Sequence, residues 1–567
     1  MKKVIRIILL LVTISILFGA CTVNLKSKTD VTEDEDEYQD KYDVIDKGPV
    51  KGGSVRLFTT PIDTLNPIIT NNIYVQDFLG LVFEGLYKLD SNQQLVPVLA
   101  KSSLMSTDGL TLTVYIKNDI KWQDKMPLKP EDVVFTINTI MDAKNNSIYM
   151  KNVTNIASVA VGDGNSVVIK LKQPYSFIKN ELTFPIIPAH HFVNEKISDK
   201  KSKVNLLPIG TGPYSFTSYD AESGIKLKLN DQWWNASGES TETDTNGTQS
   251  SKKKESDILM PYISSVEIKI FKNSNAANSA FQARDIDVLP AEYGEFRKYI
   301  GRTDITMKRY TGENYEFLSL NLKKGPLADK RVRNALNIMI DKKQLVDTAA
   351  SGIAVAAEIP VIPSSWIYQL VNLEQSKDME KAKELLEQSG YVLDSKKNKY
   401  VKKSTKQPLT LKLIFNDDNS LRFTVAKEIA SQLSKKGITV EITRIPWADV
   451  QKNIKVGTYD MAIMGYDISA IPDLSFAYSS TEITSGLNVA GYSNPTVDGL
   501  LQGILTQNNA ETQKSMYVSL LNIITEDRPY IGLFFLNESV MYSKNIRGAV
   551  NPYVWDKYSN ISKWYIP

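Results

Sequence analysis

The sequence predicts an α/β fold spread over a body of several domains. Residues 420–436 carry apolar side chains at helical spacing, stop at Gly437, and lead directly into the alternating stretch 439–445. Helix, glycine and strand in that order mark a crossover unit. Residues 54–58, 110–116, 166–171, 225–229 and 264–270 alternate apolar and polar positions as half-buried strands do. With 567 residues, 42% of them apolar, the chain is long and apolar enough for more than one sizeable core.

At the start of the chain, Lys2, Lys3 and Arg6 precede an apolar run from Ile7 to Phe18. Such a run is too short to cross a bilayer and suits the core of a signal peptide. It ends in Phe18-Gly19-Ala20-Cys21, which resembles a bacterial lipobox in which Phe18 stands where leucine is usual and Leu17 lies one residue earlier. Residues 1–20 are therefore read as a lipoprotein signal peptide and Cys21, the sole cysteine, as the lipidation site. An uncleaved anchor or an ordinary signal peptide is the alternative. Diacylglycerol on Cys21 would supply two acyl chains, enough for stable anchoring. Removal of Lys2, Lys3 and Arg6 takes the formal charge from +3 to zero, so the basic excess belongs to targeting and says nothing of ligands. Residues 21–51, with Glu33, Asp34, Glu35, Asp36 and Glu37 in succession, repel one another and read as an acidic tether.

Further along, Asp108-Gly109 reads as a hairpin turn, and Trp122 as a core residue. Gly210-Thr211-Gly212-Pro213 reads as a structural turn whose glycines adopt backbone angles that other residues resist. Residues 235–257 are polar and biased and read as a disordered surface insertion, because strand-like sequence resumes at 262. Residues 329–347 read as one helix, and 378–389 as another, ended by Gly390. No repeat of fixed period appears.

Several function classes are excluded or left without support. The balance of 67 basic and 64 acidic residues shows no basic, aromatic-interleaved stripe for nucleic acid. One cysteine forms no disulfide scaffold, and two histidines, the adjacent His190 and His191, point to different sides of a helix and make a poor metal site. Phosphate-loop, dinucleotide-binding, nucleophile-elbow and zincin motifs are missing. Asp417-Asp418 and Asp341 read as helix caps and solvated positions.

A set of short motifs then accumulates in one order: Leu65-Asn66-Pro67; Val82-Phe83-Glu84-Gly85-Leu86; Pro97-Val98-Leu99-Ala100; Ile120-Lys121-Trp122; Pro130-Glu131-Asp132-Val133; Ile209-Gly210-Thr211-Gly212-Pro213-Tyr214; Pro326 through Ala335; and Gly457-Thr458-Tyr459-Asp460-Met461 leading to Gly465-Tyr466. Together they resemble the family 5 extracellular solute-binding proteins, the oligopeptide and dipeptide receptors of ABC importers. The resemblance implies a two-lobed, periplasmic-binding-protein-like α/β fold (type II, cluster C) with an extra subdomain inserted in the first lobe. By analogy, lobe I takes residues 52–83, 208–309 and 529–567, the inserted subdomain 84–207, and lobe II 310–528. The lobes would be joined by crossings near 310–322 and 527–535.

The resemblance further implies a receptor and not an enzyme. It would need no cofactor or metal, bind a peptide in the cleft as a monomer, and pass it to permease and ATPase subunits at the extracytoplasmic face of the membrane. Ligand contacts are expected from Ile73, Tyr74 and Val75 on the first lobe, and from Trp447, Gly465, Tyr466, Asp467, Ser469 and Asp473 on the second. Peptide-binding relatives often carry G-W-x-x-D, whose aspartate pairs with the peptide α-amine. Here Tyr466 replaces the tryptophan and Ser469 falls at the aspartate position, with Asp467 or Asp473 as candidate substitutes. The competing readings are a receptor for a non-peptide solute such as a nickel complex, haem or an oligosaccharide, a signalling receptor, and a secreted hydrolase.

Overall fold

The computed structural model describes residues 48–238, 241–243, 249–251, 258–291 and 294–567. The signal peptide, Cys21 and most of the acidic tether lie outside the described residues. Pro49–Pro567 form one compact unit built on three main sheets.

The first sheet has four strands. Gly52–Thr59 runs parallel to Ile263–Ile270, which pairs antiparallel with Gly224–Leu229, and that in turn with Tyr214–Asp220. The second is an antiparallel sheet of Ala100–Met105, Thr111–Ile116, Ser166–Leu171 and Ile156–Gly162, with helix Pro130–Met141 packed on it. One core cluster, including Val55, Leu57, Val114, Val133, Ile169 and Val266, spans both sheets. Trp122 belongs to this core and donates from Nε1 to Asp132 Oδ2 at 3.2 Å.

The third sheet holds seven strands, in the order Val288–Ala291, Tyr530–Ser543, Ile305–Leu320, Met461–Asp467, Thr410–Asn416 and Thr439–Ile445, with Ala354–Ala356 also paired to Tyr530–Ser543. Its central strands are buried on both faces, and successive side chains of such a strand enter different cores. Leu411, Leu413, Met461, Ile463, Leu318 and Ile531 pack under helices Lys330–Met339 and Ser420–Lys435. Ile414, Ala462, Met464, Phe317 and Tyr530 pack under helices Pro495–Thr506 and Ala510–Asp527. Strand Thr410–Asn416, helix Ser420–Lys435 and parallel strand Thr439–Ile445 form the crossover unit that the sequence predicts. Gly437, at φ +87°, turns the chain between the last two.

Two local expectations are corrected. Residues 329–347 form two helices, Lys330–Met339 and Lys342–Thr348, because Ile340 is extended and the Asp341 carboxylate accepts the Gln344 amide at 3.0 Å, starting a new helix. The turn at Gly210 needs glycine for proximity and not for unusual angles. A β-carbon there would lie 1.8 Å from the carbonyl oxygen of Val82, against which the turn is hydrogen-bonded through the Gly212 amide. Within 235–257, residues Thr241–Thr243 and Gln249–Ser251 pair as antiparallel strands, and 239–240, 244–248 and 252–257 lie outside the described residues.

Two long strands run side by side through the third sheet. Thr311 faces Asn537 and Tyr315 faces Phe535, so Gly312, Glu313 and Asn314 bulge opposite a single residue. Segments of 84–207 also dock against segments of 310–528. Gln93 Nε2 donates to the Ala470 carbonyl at 2.9 Å, and the Ser176 amide to the Leu505 carbonyl at 2.7 Å. No helix among the described residues is long and apolar enough to cross a membrane.

Candidate functional site

Outside the carboxyl ends of strands Thr410–Asn416 and Met461–Asp467 lies a pocket of about 280 Å³. Open α/β sheets keep their ligands at such carboxyl ends. The pocket brings together Trp447, Gly465, Tyr466 and Asp467, all expected from the sequence, with Asn314, Glu316, Asn416 and Arg422, which were not.

Its floor is an ion pair. Asn419 caps helix Ser420–Lys435 by accepting the Arg422 amide at 2.9 Å, which sets Arg422 in the first turn. The guanidinium donates from Nε to Glu316 Oε2 and from Nη2 to Glu316 Oε1, both at 2.8 Å, and from Nη1 to Asn416 Oδ1 at 2.9 Å. The Arg422 and Glu316 side chains are only 11% and 10% exposed. Burial pushes the Glu316 carboxyl up from its ordinary value, and the bonds from Arg422 oppose the shift.

Cross-strand register places the rest. On the antiparallel pair Ile305–Leu320 and Met461–Asp467, Glu316 faces Gly465, Tyr315 faces Tyr466, and Asn314 faces Asp467. Asn314 Nδ2 donates to Asp467 Oδ1, and the aspartate is otherwise exposed. The Tyr466 ring stacks on Phe317 at 4.5 Å and meets Phe476 edge-on at 5.0 Å, while its hydroxyl donates to the Leu487 carbonyl at 2.5 Å. Tyr466 therefore holds the strand in place more than it offers a free face. Trp447 opens helix Trp447–Val456, is 39% exposed, and has the Arg422 guanidinium 6.0 Å from its ring.

The remaining expected residues lie elsewhere. Ile73 and Tyr74 start helix Ile73–Leu79 under the Asn72 cap; Ile73 is exposed and Tyr74 packs on Phe58 at 5.0 Å. Val75 is fully buried in the core and presents no surface to a solute. Ser469 is exposed, with its hydroxyl accepting the Ile471 amide at 3.1 Å. Asp473 does not reach the pocket lining; it accepts the Ser475 amide at 2.8 Å and contributes to the field around Tyr175 and Tyr517. The overlooked signals were a glutamate inside an apolar strand (Tyr315-Glu316-Phe317-Leu318) and an arginine in the first turn of an amphipathic helix. Each is costly unless paired.

Around the pocket the field is acidic. Glu313 is pushed up by burial first and then by Glu538 and Asp467. Glu538 accepts the Tyr310 hydroxyl at 2.9 Å, and the neighbouring cation, Lys557, is held by Asp77 at 3.2 Å. A separate cavity of about 420 Å³ lies by Lys151, Lys172, Tyr175 and Glu181. Burial pushes Glu181 there up to about 7. His190 Nε2 meets Asp124 Oδ2 at 2.7 Å and His191 Nε2 meets the Val204 carbonyl at 3.1 Å. Among the described residues, no group of three or more His, Cys, Asp or Glu could hold a metal ion.

The sequence model for bacterial extracellular solute-binding proteins, family 5 (Middle), matches residues 94–486. The oligopeptide-binding protein AppA of Bacillus subtilis is 26% identical over 529 residues, covering 91% of this chain and 92% of its own. The glutathione-binding protein GsiB of Shigella dysenteriae is 26% identical over 496 residues, covering 86% and 89%. The structure of Bacillus subtilis AppA in complex with a nonapeptide superposes with a TM-score of 0.54 at 25% identity, covering 92% of this chain and all of that one.

Proposed function

Since this chain belongs to the family 5 bacterial extracellular solute-binding proteins, which are transport receptors and not enzymes, we propose that it is the lipid-anchored oligopeptide receptor of an ABC importer. Its mixed α/β fold is that of the two-lobed binding proteins. In this reading, lobe I comprises 52–83, 208–309 and 529–567, lobe II comprises 310–528, and 84–207 is an insertion. Cys21 carries the acyl chains, and the receptor acts as a monomer.

The observation that carries the reading is the pocket at the carboxyl ends of Thr410–Asn416 and Met461–Asp467, with Asp467 exposed at its mouth. An extended peptide is held chiefly by main-chain hydrogen bonds, which tolerate many side chains, while a carboxylate at one end takes its ammonium. Two relatives support the peptide class by their names, one oligopeptide-binding and one glutathione-binding. Contacts from both lobes favour the closed form, because a ligand shifts an equilibrium only by its differential affinity for the two states. The membrane permease then receives the closed, loaded form.

The test is a thermal-shift and calorimetric screen of the full chain against tri- to nonapeptides, with sugars and nickel–histidine as alternatives. Peptides are expected to stabilise it with a dissociation constant near or below about 1 μM, roughly 8 kcal/mol. Stabilisation by a sugar or metal chelate alone would replace the peptide assignment, and release of a cleaved product would replace the receptor assignment.

A further inference from the structure

Arginine is the side chain best shaped to hold a solute carboxylate, because its planar fork matches both oxygens at once. The pocket contains one such side chain, and it is already engaged. Three of the Arg422 nitrogens donate within the protein, two of them to the two oxygens of Glu316. The charged residues lining the pocket are Glu316, Arg422 and Asp467, so once the first two cancel, one negative charge remains. Nothing compensates it from nearby in the strand pair, where Asp467 has only the neutral amide of Asn314 opposite. Beyond it stand Glu313, Glu538 and Asp77, three carboxyls that share one cation, Lys557.

We propose that Glu316 sets the charge selectivity of the pocket: by occupying Arg422 it denies a solute carboxylate the one guanidinium that lines the site, so that a cationic solute is preferred over an anionic one. This rests on the solute-receptor reading above and narrows its substrate class. Gly465 makes the arrangement possible, since it lies opposite Glu316 and leaves the space into which the guanidinium folds. Glu316 acts on the solute through Arg422, as a positioning residue.

The experiment compares the full-length wild-type chain with Glu316→Gln and the double variant Glu316→Gln/Arg422→Gln, each checked for folding by circular dichroism. Four tetrapeptide probes share one backbone: free amine with C-terminal amide, acetylated with free carboxylate, blocked at both ends, and blocked at both ends with one lysine. The last distinguishes a side-chain cation from an α-amine. Hexylamine and hexanoate extend the comparison to solutes that are not peptides.

Wild type should bind the cationic probes at least tenfold more tightly than the carboxylate probes. Glu316→Gln should reduce that ratio at least tenfold by gaining carboxylate affinity. The double variant should lose the gain while keeping the preference for cations, a pattern that mere loosening of the fold does not produce. An unchanged ratio in folded Glu316→Gln overturns the proposal and leaves the peptide reading intact. If Glu316→Gln does not fold, a wild type and double variant with the same cation preference still support the proposal, and a double variant that binds carboxylate as well as wild type binds amine overturns it. If hexylamine is preferred to hexanoate but no peptide binds, the proposal stands and the peptide reading falls. No response to any probe removes both.

Discussion

A β-carbon on Gly465 would lie 2.7 Å from Nη2 of Arg422 and 2.8 Å from Oε1 of Glu316. The strand position and the ion pair are therefore mutually dependent. Gly465→Ala should force the guanidinium off its seat, costing about 1–3 kcal/mol as overpacking does, read as a lowered midpoint in urea with unchanged slope. Solute binding should fall with it. An alanine variant of wild-type stability and affinity would contradict the close approach.

Asp467 should matter to amines in particular. Asp467→Ala is expected to weaken binding of free-amine peptides by about tenfold, or roughly 1.4 kcal/mol, more than their acetylated counterparts. Calorimetry on matched pairs measures this. Equal losses on both would remove the aspartate from the amine role.

A second ion cluster is structural. Lys342 Nζ pairs with Glu358 Oε1, and Arg528 Nη1 donates to Glu358 Oε2 at 3.0 Å, with the Lys342 and Glu358 side chains 3% and 8% exposed. Burial pulls the Lys342 ammonium down to about 8. Glu358→Gln leaves two cations facing each other in the interior and should cost about 3–5 kcal/mol, whereas Lys342→Met leaves the Glu358–Arg528 pair and should cost less. Denaturant unfolding of both variants ranks them.

Glu181 makes stability depend on pH. Its carboxyl holds its proton up to about 7 in the folded chain against an ordinary 4.5, with burial as the main cause. Between those values the folded state binds more protons than the unfolded state, so the favourable contribution is complete below about 4.5 and is lost as pH rises through about 7. Asp556, pushed up to about 6 chiefly by burial, acts in the same direction. Glu181→Gln should flatten the fall in melting temperature between pH 5 and pH 7 without abolishing it, because Asp556 remains. A profile unchanged by the substitution would place the pH dependence elsewhere.

The elements most legible in sequence were those with strong local signals. Asn419 and Gly437 frame a helix between two strands, and the crossover unit follows from neighbours along the chain. The break at Ile340-Asp341 was not legible, because Asp341-Lys342-Lys343 reads equally as the polar face of a continuing helix and only the extended Ile340 ends it. Half of the pocket shared that fate. Gly465, Tyr466 and Asp467 are contiguous and stood out as a motif, but Glu316 and Arg422 lie 106 positions apart, one on a strand and one on a helix, and meet only in the folded chain. Val75 looked like part of an exposed segment because helix Ile73–Leu79 is short, and a seven-residue stretch does not reveal which side faces the core.

Strand Tyr530–Ser543 sits between Val288–Ala291 and Ile305–Leu320 and also pairs with Ala354–Ala356, so three earlier segments share one partner that is made well after them. At about 5–20 residues per second, the ribosome leaves those segments waiting many seconds for their neighbour. The central sheet is thus closed only after Tyr530–Ser543 has left the ribosome. Until then Val288–Ala291, Ile305–Leu320 and Ala354–Ala356 lack the strand they share, and the seven-stranded sheet stands in separate pieces.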